Sequence, residues 1–347
     1  MNIDTFASRL LSWFDDNGRH DLPWQRPRSA YRVWLSEVML QQTQVTVVLP
    51  YFQRFVAALP DLQSLASATP DEVHALWSGL GYYARARNLH STAQRCVAHH
   101  GGELPRDLDA LTALPGIGRS TAGAILSQAW GDRFAILDGN VKRVLARYHG
   151  VDGWPGSAAV QDVLWAHALQ HLPDVRLADY TQAQMDLGAT LCTRHDPACV
   201  RCPLQDDCIA LATGRTTDLP TPMPGKRLPE RSTFVLLAQD CDSRVLMERR
   251  PPAGIWSGLW SLPEAEDDDG ARRWFDRHLH GPYQDSEALA PIAHAFSHYR
   301  LQLRPMRWAD VASRPCVHDN ADMRWFEPEQ LDAIGIPAPI RKLLQGR

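Results

Sequence analysis

Hydrophobic positions change period once along this chain, near residue 214, and the change divides it into a helical part and a mixed part. Upstream, apolar residues recur three and four apart between short loops. Tyr31, Trp34, Leu35 and Val38 fall on one helical stripe, as do Leu108, Leu111 and Leu114. No alternating strand stands out there, so this part reads as all-helical. Residues 213–232 are rich in proline, with two glycines and scattered charges, and read as an extended linker. Beyond it, Thr233–Ala238 and Arg244–Met247 flank Asp240-Cys-Asp-Ser243 as a hairpin would. His294–Leu303 reads as another strand. The predicted organisation is a helical region over 1–213, a linker over 214–231 and a smaller α+β domain over 232–347. No internal repeat or low-complexity tract is present.

Composition narrows the class. The chain has 347 residues, enough for two or more domains, and its 44% hydrophobic and 22% charged content is that of an ordinary globular protein. No stretch approaches the length of a membrane span. The net charge of −4 lacks the basic excess common in nucleic-acid-binding domains. Any contact with DNA must therefore come from local basic clusters and backbone amides. Met1 to His20 carries Asp4, Asp15 and Asp16 and has no apolar core run, so a cytoplasmic chain with reduced thiols is expected.

Four of the seven cysteines share one short segment, Cys192-x6-Cys199-x2-Cys202-x5-Cys208, while Cys96, Cys241 and Cys316 are scattered. Four thiolates so close together can surround a metal ion or anchor an iron–sulfur cluster. Pro197 and Pro203 stiffen the loop. A structural zinc site ordinarily uses two Cys-x2–4-Cys pairs, and only the middle pair has that spacing. The spacing favours an iron–sulfur cluster, with zinc as the alternative.

Three further segments carry chemistry. In Leu114-Pro-Gly-Ile-Gly-Arg-Ser-Thr-Ala122 a glycine turn leads into a helix. Bare N–H groups at such a turn, together with a helix N-terminus, suit a phosphate oxygen. The plain alternative is a helix–turn–helix corner. In Leu137-Asp-Gly-Asn-Val-Lys-Arg, Asp138 stands where a helix would begin. It reads as an N-cap or as a carboxylate held ionised there, with Lys142 four residues on to pair with it. Glu37 sits among Val33, Leu35, Val38 and Leu40. Either desolvation raises its pKa or it faces solvent with Gln41 and Gln44.

Taken together, the cysteine spacing, the Leu-Pro-Gly-Ile-Gly turn and the Asp138 segment resemble the iron–sulfur branch of the helix-hairpin-helix DNA glycosylases. Trp34-Leu-Ser-Glu-Val-Met-Leu-Gln-Gln-Thr-Gln, Gly79-Leu-Gly-Tyr-Tyr83 and Leu137-Asp-Gly-Asn-Val-Lys-Arg resemble adenine glycosylases of the MutY type. The resemblance covers the whole chain. It implies an all-α helix-hairpin-helix core, with the hairpin over 110–130, and one 4Fe–4S cluster held by Cys192, Cys199, Cys202 and Cys208 over 192–208. It implies that a monomer removes adenine opposite 8-oxoguanine or guanine in double-stranded DNA, after flipping the base out of the stack. Glu37 then protonates adenine at N7. Asp138, ionised, stabilises the oxocarbenium sugar, with or without a transient covalent adduct. One raised and one low carboxyl pKa would divide those roles. Contacts to DNA or to the base pair are implied at Gln41, Gln42 and Tyr82, at Gly116, Gly118 and Ser120 of the hairpin, and at Asn140 and Lys142. Bifunctional relatives carry a catalytic lysine where this chain has Ser120, which cannot form an imine, so a monofunctional enzyme is expected.

The later domain resembles the Nudix-like C-terminal domain of the same family. Gly258-x5-Glu264 matches the start of a Nudix box, but Arg272-Arg-Trp-Phe-Asp-Arg277 lacks its acidic cluster. Magnesium chemistry needs convergent carboxylates, so nucleotide hydrolysis is not expected. Phe296, Ser297 and His298 resemble the family's reader of 8-oxoguanine, whose N7–H an acceptor such as a serine hydroxyl can sense. In the plain alternative Phe296 is a core residue of an ordinary strand. Arg194, His195 and Arg201 lie between the cysteines, where they can meet phosphates. Other classes remain open: a non-catalytic iron–sulfur DNA-binding protein, a nucleotide pyrophosphohydrolase with a helical appendage, and a thymine-glycol-type glycosylase.

Overall fold

The structure is a computed structural model that describes residues 5–225, 228–296, 298–318 and 320–346. The chain forms two compact units, one of residues 1–67 and 88–225 and the other of residues 68–87 and 226–347. In chain order the helices begin with α1 (Thr5–Asn17), α2 (Ala30–Leu40), α3 (Val45–Ala58), α4 (Leu62–Ser67), α5 (Pro70–Trp77) and α6 (Ala84–His99). They continue with α7 (Leu108–Thr112), α8 (Arg119–Trp130), α9 (Gly139–Tyr148), α10 (Ala158–Gln170), α11 (Leu177–Thr190) and α12 (Ile209–Ala212). Among the described residues no strand precedes Glu230, as the helical periodicity predicts.

Side chains mark where these helices begin. The Ser29 hydroxyl accepts from the Arg32 N–H, and the Asp107 carboxylate accepts from the Ala110 N–H. Each such cap stabilises its helix by about 1 kcal/mol. In the first unit, α11 is the central helix. Nearly every residue from Leu177 to Gly188 that could face outward is buried, and α11 packs against α1, α8 and α9. Phe6 and Leu10 of α1, Val141 and Leu145 of α9, Leu164 of α10, and Tyr180 and Leu187 of α11 share one core. Polar residues of so buried a helix need partners. Thr181 pairs with Ser127 at 2.9 Å. Asp186, 1% exposed, accepts two bonds from the Arg19 guanidinium, one from the Arg19 N–H and one from Gln182.

The second unit contains β1 (Glu230–Ala238), β2 (Val245–Arg249), β3 (Trp260–Ser261), β4 (Glu264–Ala265) and α13 (Asp268–His278). After β5 (Leu279–His280) and β6 (Glu287–Ala288) come β7 (Ile292–Ala295), β8 (Arg300–Trp308), β9 (Ala312–Ser313), α14 (Pro315–His318), β10 (Met323–Phe326) and α15 (Ala338–Gln345). The main sheet runs β4-β1-β8-β6, with β7 also paired to β8, and β1 and β8 are parallel from Glu230 opposite Arg300 to Ala238 opposite Trp308. A second sheet runs β10-β2-β3. Alternation along β1 sends Val235 and Leu237 into a core with Ile340 of α15 and Phe326, and Leu236 and Ala238 into another with Phe275 of α13 and Trp308. Buried apolar residues on both faces of a strand are the mark of a covered central strand.

Three sequence expectations need correction. The segment around Asp240 turns back as a hairpin does, with an antiparallel bridge between Gln239 and Val245 and the Asp240 N–H donating to the Arg244 carbonyl, but the ladder goes no further and β1 and β2 join different sheets. β8 pairs with one edge of β1 along its whole length and β4 with Phe234 and Val235 on the other, while β2 pairs with β10 and β3. His294–Leu303 is not one strand: the chain reverses between β7 and β8, and the Phe296 N–H donates to the Tyr299 carbonyl. The first half of the proline-rich segment is docked rather than extended in solvent. Leu219 is buried and its carbonyl accepts from Arg147, Arg215 pairs with Asp152, and Thr221 accepts from the Gly153 N–H.

Residues 68–87 belong to the second unit although they lie far from it in sequence. The Arg249 guanidinium grips the Asp71 carboxylate through two bonds of 3.0 and 2.8 Å, and the Tyr83 hydroxyl donates to the Ile336 carbonyl.

Candidate active site and cluster loop

Helices α2 and α8 pack against each other, and the segment leading to Asp138 crosses α8. Gly123 permits that crossing, since a Cβ there would lie 2.4 Å from the Ala135 carbonyl oxygen. The Leu137 N–H donates to the Ser120 hydroxyl at 2.9 Å, which ties the segment to the start of α8. Asp138 then caps α9, its carboxylate accepting from the Val141 N–H at 2.7 Å and from the Asn140 side chain at 3.3 Å. Asp138 is therefore the N-cap that the sequence allowed, and its charge also acts on a second carboxyl.

That second carboxyl is Glu37. It is half-buried in α2 among buried Val33, Trp34 and Val38, and the Gln128 amide of α8 donates to its Oε1 at 3.1 Å. Burial pushes the Glu37 carboxyl up to about 8, the nearby Asp138 charge pushes it the same way, and the Gln128 donor pulls it back. The expected low pKa for Asp138 is not what the geometry produces. Burial lifts Asp138 too, opposed by the N–H groups of Val141 and Asn140 and by the Arg143 charge. Lys142 does not supply the opposing cation: its N–H bonds the Asp138 carbonyl, as any residue one turn into a helix does, and Arg143 is the cation that acts.

The hairpin takes the predicted form. Leu111, Leu114 and Ile117 are buried, the Thr92 hydroxyl donates to the Pro115 carbonyl, and Gly116 adopts φ +77. That left-handed turn suits glycine. Gly118, exposed, is the N-cap of α8 and supplies no side-chain partner to the first-turn N–H groups. Gln41 ends α2, and Gln42 after it is exposed at φ +58. Tyr82 is 55% exposed at φ +48, with the Arg85 guanidinium 5.6 Å from its ring. A non-glycine residue in that region costs of order 1–3 kcal/mol, a strain that clusters at functional sites. Phe296 is half-buried in the β7–β8 turn, 5.6 Å from Trp256 and 4.9 Å from Tyr299, and His298 is exposed beside it. Ser297 lies outside the described residues.

Cys192, Cys199, Cys202 and Cys208 line one pocket with apolar Val144, Leu187, Leu191, Pro197, Leu204 and Leu211. All four are free thiols. Burial pushes Cys202 up to about 11, and its three cysteine neighbours add to the rise. Buried Arg147 reaches into this loop, donating to Cys192 Sγ at 3.3 Å, to the Thr193 carbonyl at 2.7 Å and to the Arg194 carbonyl at 3.2 Å. The Asn140 amide oxygen accepts from Arg143, whose guanidinium also donates to the carbonyls of Cys192 and Gly188. Hydrogen bonds therefore run unbroken from Asp138 to the cysteine loop. Arg194, His195 and Arg201 are exposed around it.

Residues 35–168 match the model of the HhH-GPD superfamily of base excision DNA repair proteins, and residues 234–346 match the NUDIX domain. The adenine DNA glycosylase of Buchnera aphidicola subsp. Acyrthosiphon pisum is 34% identical over 98% of this chain and 97% of its own length. The human adenine DNA glycosylase is 33% identical over 99% of this chain and 74% of its own length.

The chain belongs to the adenine DNA glycosylase family.

It is thus a hydrolase of N-glycosyl bonds in base excision repair, and its substrate is DNA. The solved structure of a thermostable thymine-DNA glycosylase is similar to the helical part, with TM-score 0.55 and 26% identity over 60% of this chain and 95% of that one. A non-covalent endonuclease III–DNA complex shares the fold at TM-score 0.52 and 23% identity. Glycosylases of this group generally carry a 4Fe–4S cluster, and the four cysteines are present. No helix among the described residues is long and apolar enough to cross a membrane.

Sequence reasoning about this adenine glycosylase missed three residues that the fold brings to its site. Gln128 is a polar break in an apolar helix, which is a weak signal. Arg143 and Arg147 lie one turn apart in the helix that Asp138 caps, but only the fold shows that they face the cysteine loop.

Proposed function

We propose that this adenine glycosylase is monofunctional and removes adenine paired with 8-oxoguanine, or with guanine, from double-stranded DNA. The observation that carries the reading is the pairing of Glu37 with Asp138. Two carboxyls far apart in sequence meet in a partly dry site, where burial and the Asp138 charge push Glu37 to about 8. At neutral pH Glu37 therefore holds a proton to give to adenine N7. Asp138 has two N–H donors and the Arg143 charge behind it, which favour its carboxylate against burial, and that charge helps to keep the proton on Glu37. The Asp138 carboxylate then faces the positive charge that develops on the sugar, where a preorganised charge is most effective. Ser120 accepts a backbone N–H instead of offering an amine, which fits a glycosylase without a Schiff-base step.

Uncapped N–H groups at the start of α8 suit a DNA phosphate, and Gln42 and Tyr82 suit contact with the opened base pair. Phe296, Ser297 and His298 would read the opposing 8-oxoguanine. Cys192, Cys199, Cys202 and Cys208 fit a polynuclear cluster, because all four line one pocket whose other walls are mainly apolar. When bound, such a cluster supplies a crosslink that stiffens the loop, and Arg147 supplies a donor to one ligand sulfur.

The test is a single-turnover assay on duplexes with adenine opposite 8-oxoguanine, guanine or thymine, read with and without alkali. Fast adenine release opposite 8-oxoguanine, slower release opposite guanine, none opposite thymine, and strand breaks only after alkali are expected. Strand cleavage without alkali would overturn the monofunctional assignment, and equal release opposite thymine would overturn the mispair assignment.

A further inference from the structure

The reading of Glu37 as the acid leaves one neighbour unexplained. Gln128 lies in the last turn of α8 and is 3% exposed, so its amide is removed from water. Nε2 donates to Glu37 Oε1 at 3.1 Å. The other end, Oε1, is buried and accepts no hydrogen bond from any described residue. A buried amide with one end unpaired is unfavourable for folding, and a methionine or leucine of similar volume would fill the same space without that penalty. Packing therefore does not account for an amide here, whereas its bond to Glu37 does.

We propose that Gln128 is a positioning residue for proton transfer, holding Glu37 through a donor that favours the carboxylate left behind when the proton departs. This rests on Glu37 being the acid. In the step concerned, the proton moves from the Glu37 carboxyl to adenine N7. The electron pair of the bond between C1′ and the base stays with adenine, the sugar becomes cationic, and Glu37 is left as a carboxylate. An acid in so dry a setting parts with its proton reluctantly, because nothing solvates the charge that remains. Gln128 supplies that solvation from a fixed position. Turning the amide over would offer Oε1 to the protonated acid but leave both N–H groups of Nε2 unpaired, so the donating orientation is favoured. Helix α2 also packs against α3, but the titratable group acting on Glu37 is Asp138, from the start of α9, and Gln128 is the neighbour that opposes it.

Single-turnover adenine release from an 8-oxoguanine duplex, followed from pH 5.5 to 9.5, tests this in wild type, Gln128→Met, Gln128→Leu and Glu37→Gln. Losing the donor should move the alkaline limb of the rate profile up by about one pH unit and lower the plateau roughly threefold, since a weaker acid protonates the base less readily. The Tm of either Gln128 variant should stay level or rise. A profile that overlays wild type in both variants, with a lower Tm, would make Gln128 an ordinary core residue and overturn the proposal. Glu37→Gln separates the two ideas: wild-type rates in that variant would remove Glu37 as the acid whatever Gln128 does, whereas a dead Glu37→Gln with unmoved Gln128 profiles defeats the proposal about Gln128 alone.

Discussion

Replacing Glu37 by glutamine should abolish adenine release and yet stabilise the protein, increasingly so as the pH rises. In the fold the carboxyl is pushed from 4.5 to about 8. A folded pKa above the unfolded one means that the native protein retains a proton the unfolded chain gives up. The contribution of this group to stability is therefore intact below about pH 4.5 and is lost progressively as the pH rises to about 8. Each pH unit is worth 1.36 kcal/mol, so the loss approaches about 5 kcal/mol above pH 8, and about 2–3 kcal/mol is realistic once the site relaxes and water enters. Glutamine is neutral at every pH, nearly the same shape, and can turn its carbonyl oxygen toward the Gln128 donor. Calorimetric scans of both proteins at pH 5.5 and pH 8.5 would measure the effect, with the Tm advantage of the variant growing by several degrees between them. The chain has two units, so the transition of the helical one must be followed separately. An advantage that does not change with pH would show that Glu37 is not held neutral by burial, and the account of its acidity would fail.

Asp138→Asn should leave the fold nearly intact, because asparagine caps a helix as well as aspartate does, while single-turnover release falls by about a thousandfold. That figure follows from about 4 kcal/mol of attraction between unit charges 4 Å apart in a partly wet site; a loss under tenfold would refute an electrostatic role. Ser120→Ala leaves the Leu137 N–H without its partner and should cost about 1–2 kcal/mol of stability together with a slower rate, as Asp138 loses its fixed approach; a stability unchanged by urea titration would contradict it. Cys199→Ser should bleach the brown colour of a cluster-loaded protein and weaken binding to the abasic product, and full binding by colourless protein would separate the loop from DNA recognition. Phe296→Ala with His298→Ala should narrow the rate difference between 8-oxoguanine and guanine opposite adenine, whereas an unchanged ratio would remove the β7–β8 turn from lesion reading.

Local signals in the sequence were enough for the helical and mixed halves, the hairpin turn, the four-cysteine loop and the start of α9 at Asp138. Each depends on neighbours a few residues away: apolar spacing sets a buried face, a glycine allows a left-handed turn, and a short polar side chain caps a helix. The family, too, was legible in those motifs, since they report backbone requirements that few other residues meet. What sequence left undecided was every property that depends on distance between remote segments. Whether Glu37 faced solvent or a dry neighbour turned on α2 packing against α8, which also set Gln128 beside it. Burial at Asp138 overrode the low pKa expected of a capping carboxylate, and the cation facing it was Arg143 rather than Lys142. Residues 68–87 joined the second unit through Asp71 and Tyr83, with no sign of this in composition or periodicity. The strands β1 and β2 went to different sheets, β1 pairing with the distant β8 along its whole length and β2 with β10 and β3. Backbone conformation follows from nearby residues, whereas desolvation and charge coupling depend on what the folded chain brings within a few ångströms, and only the tertiary structure decides that.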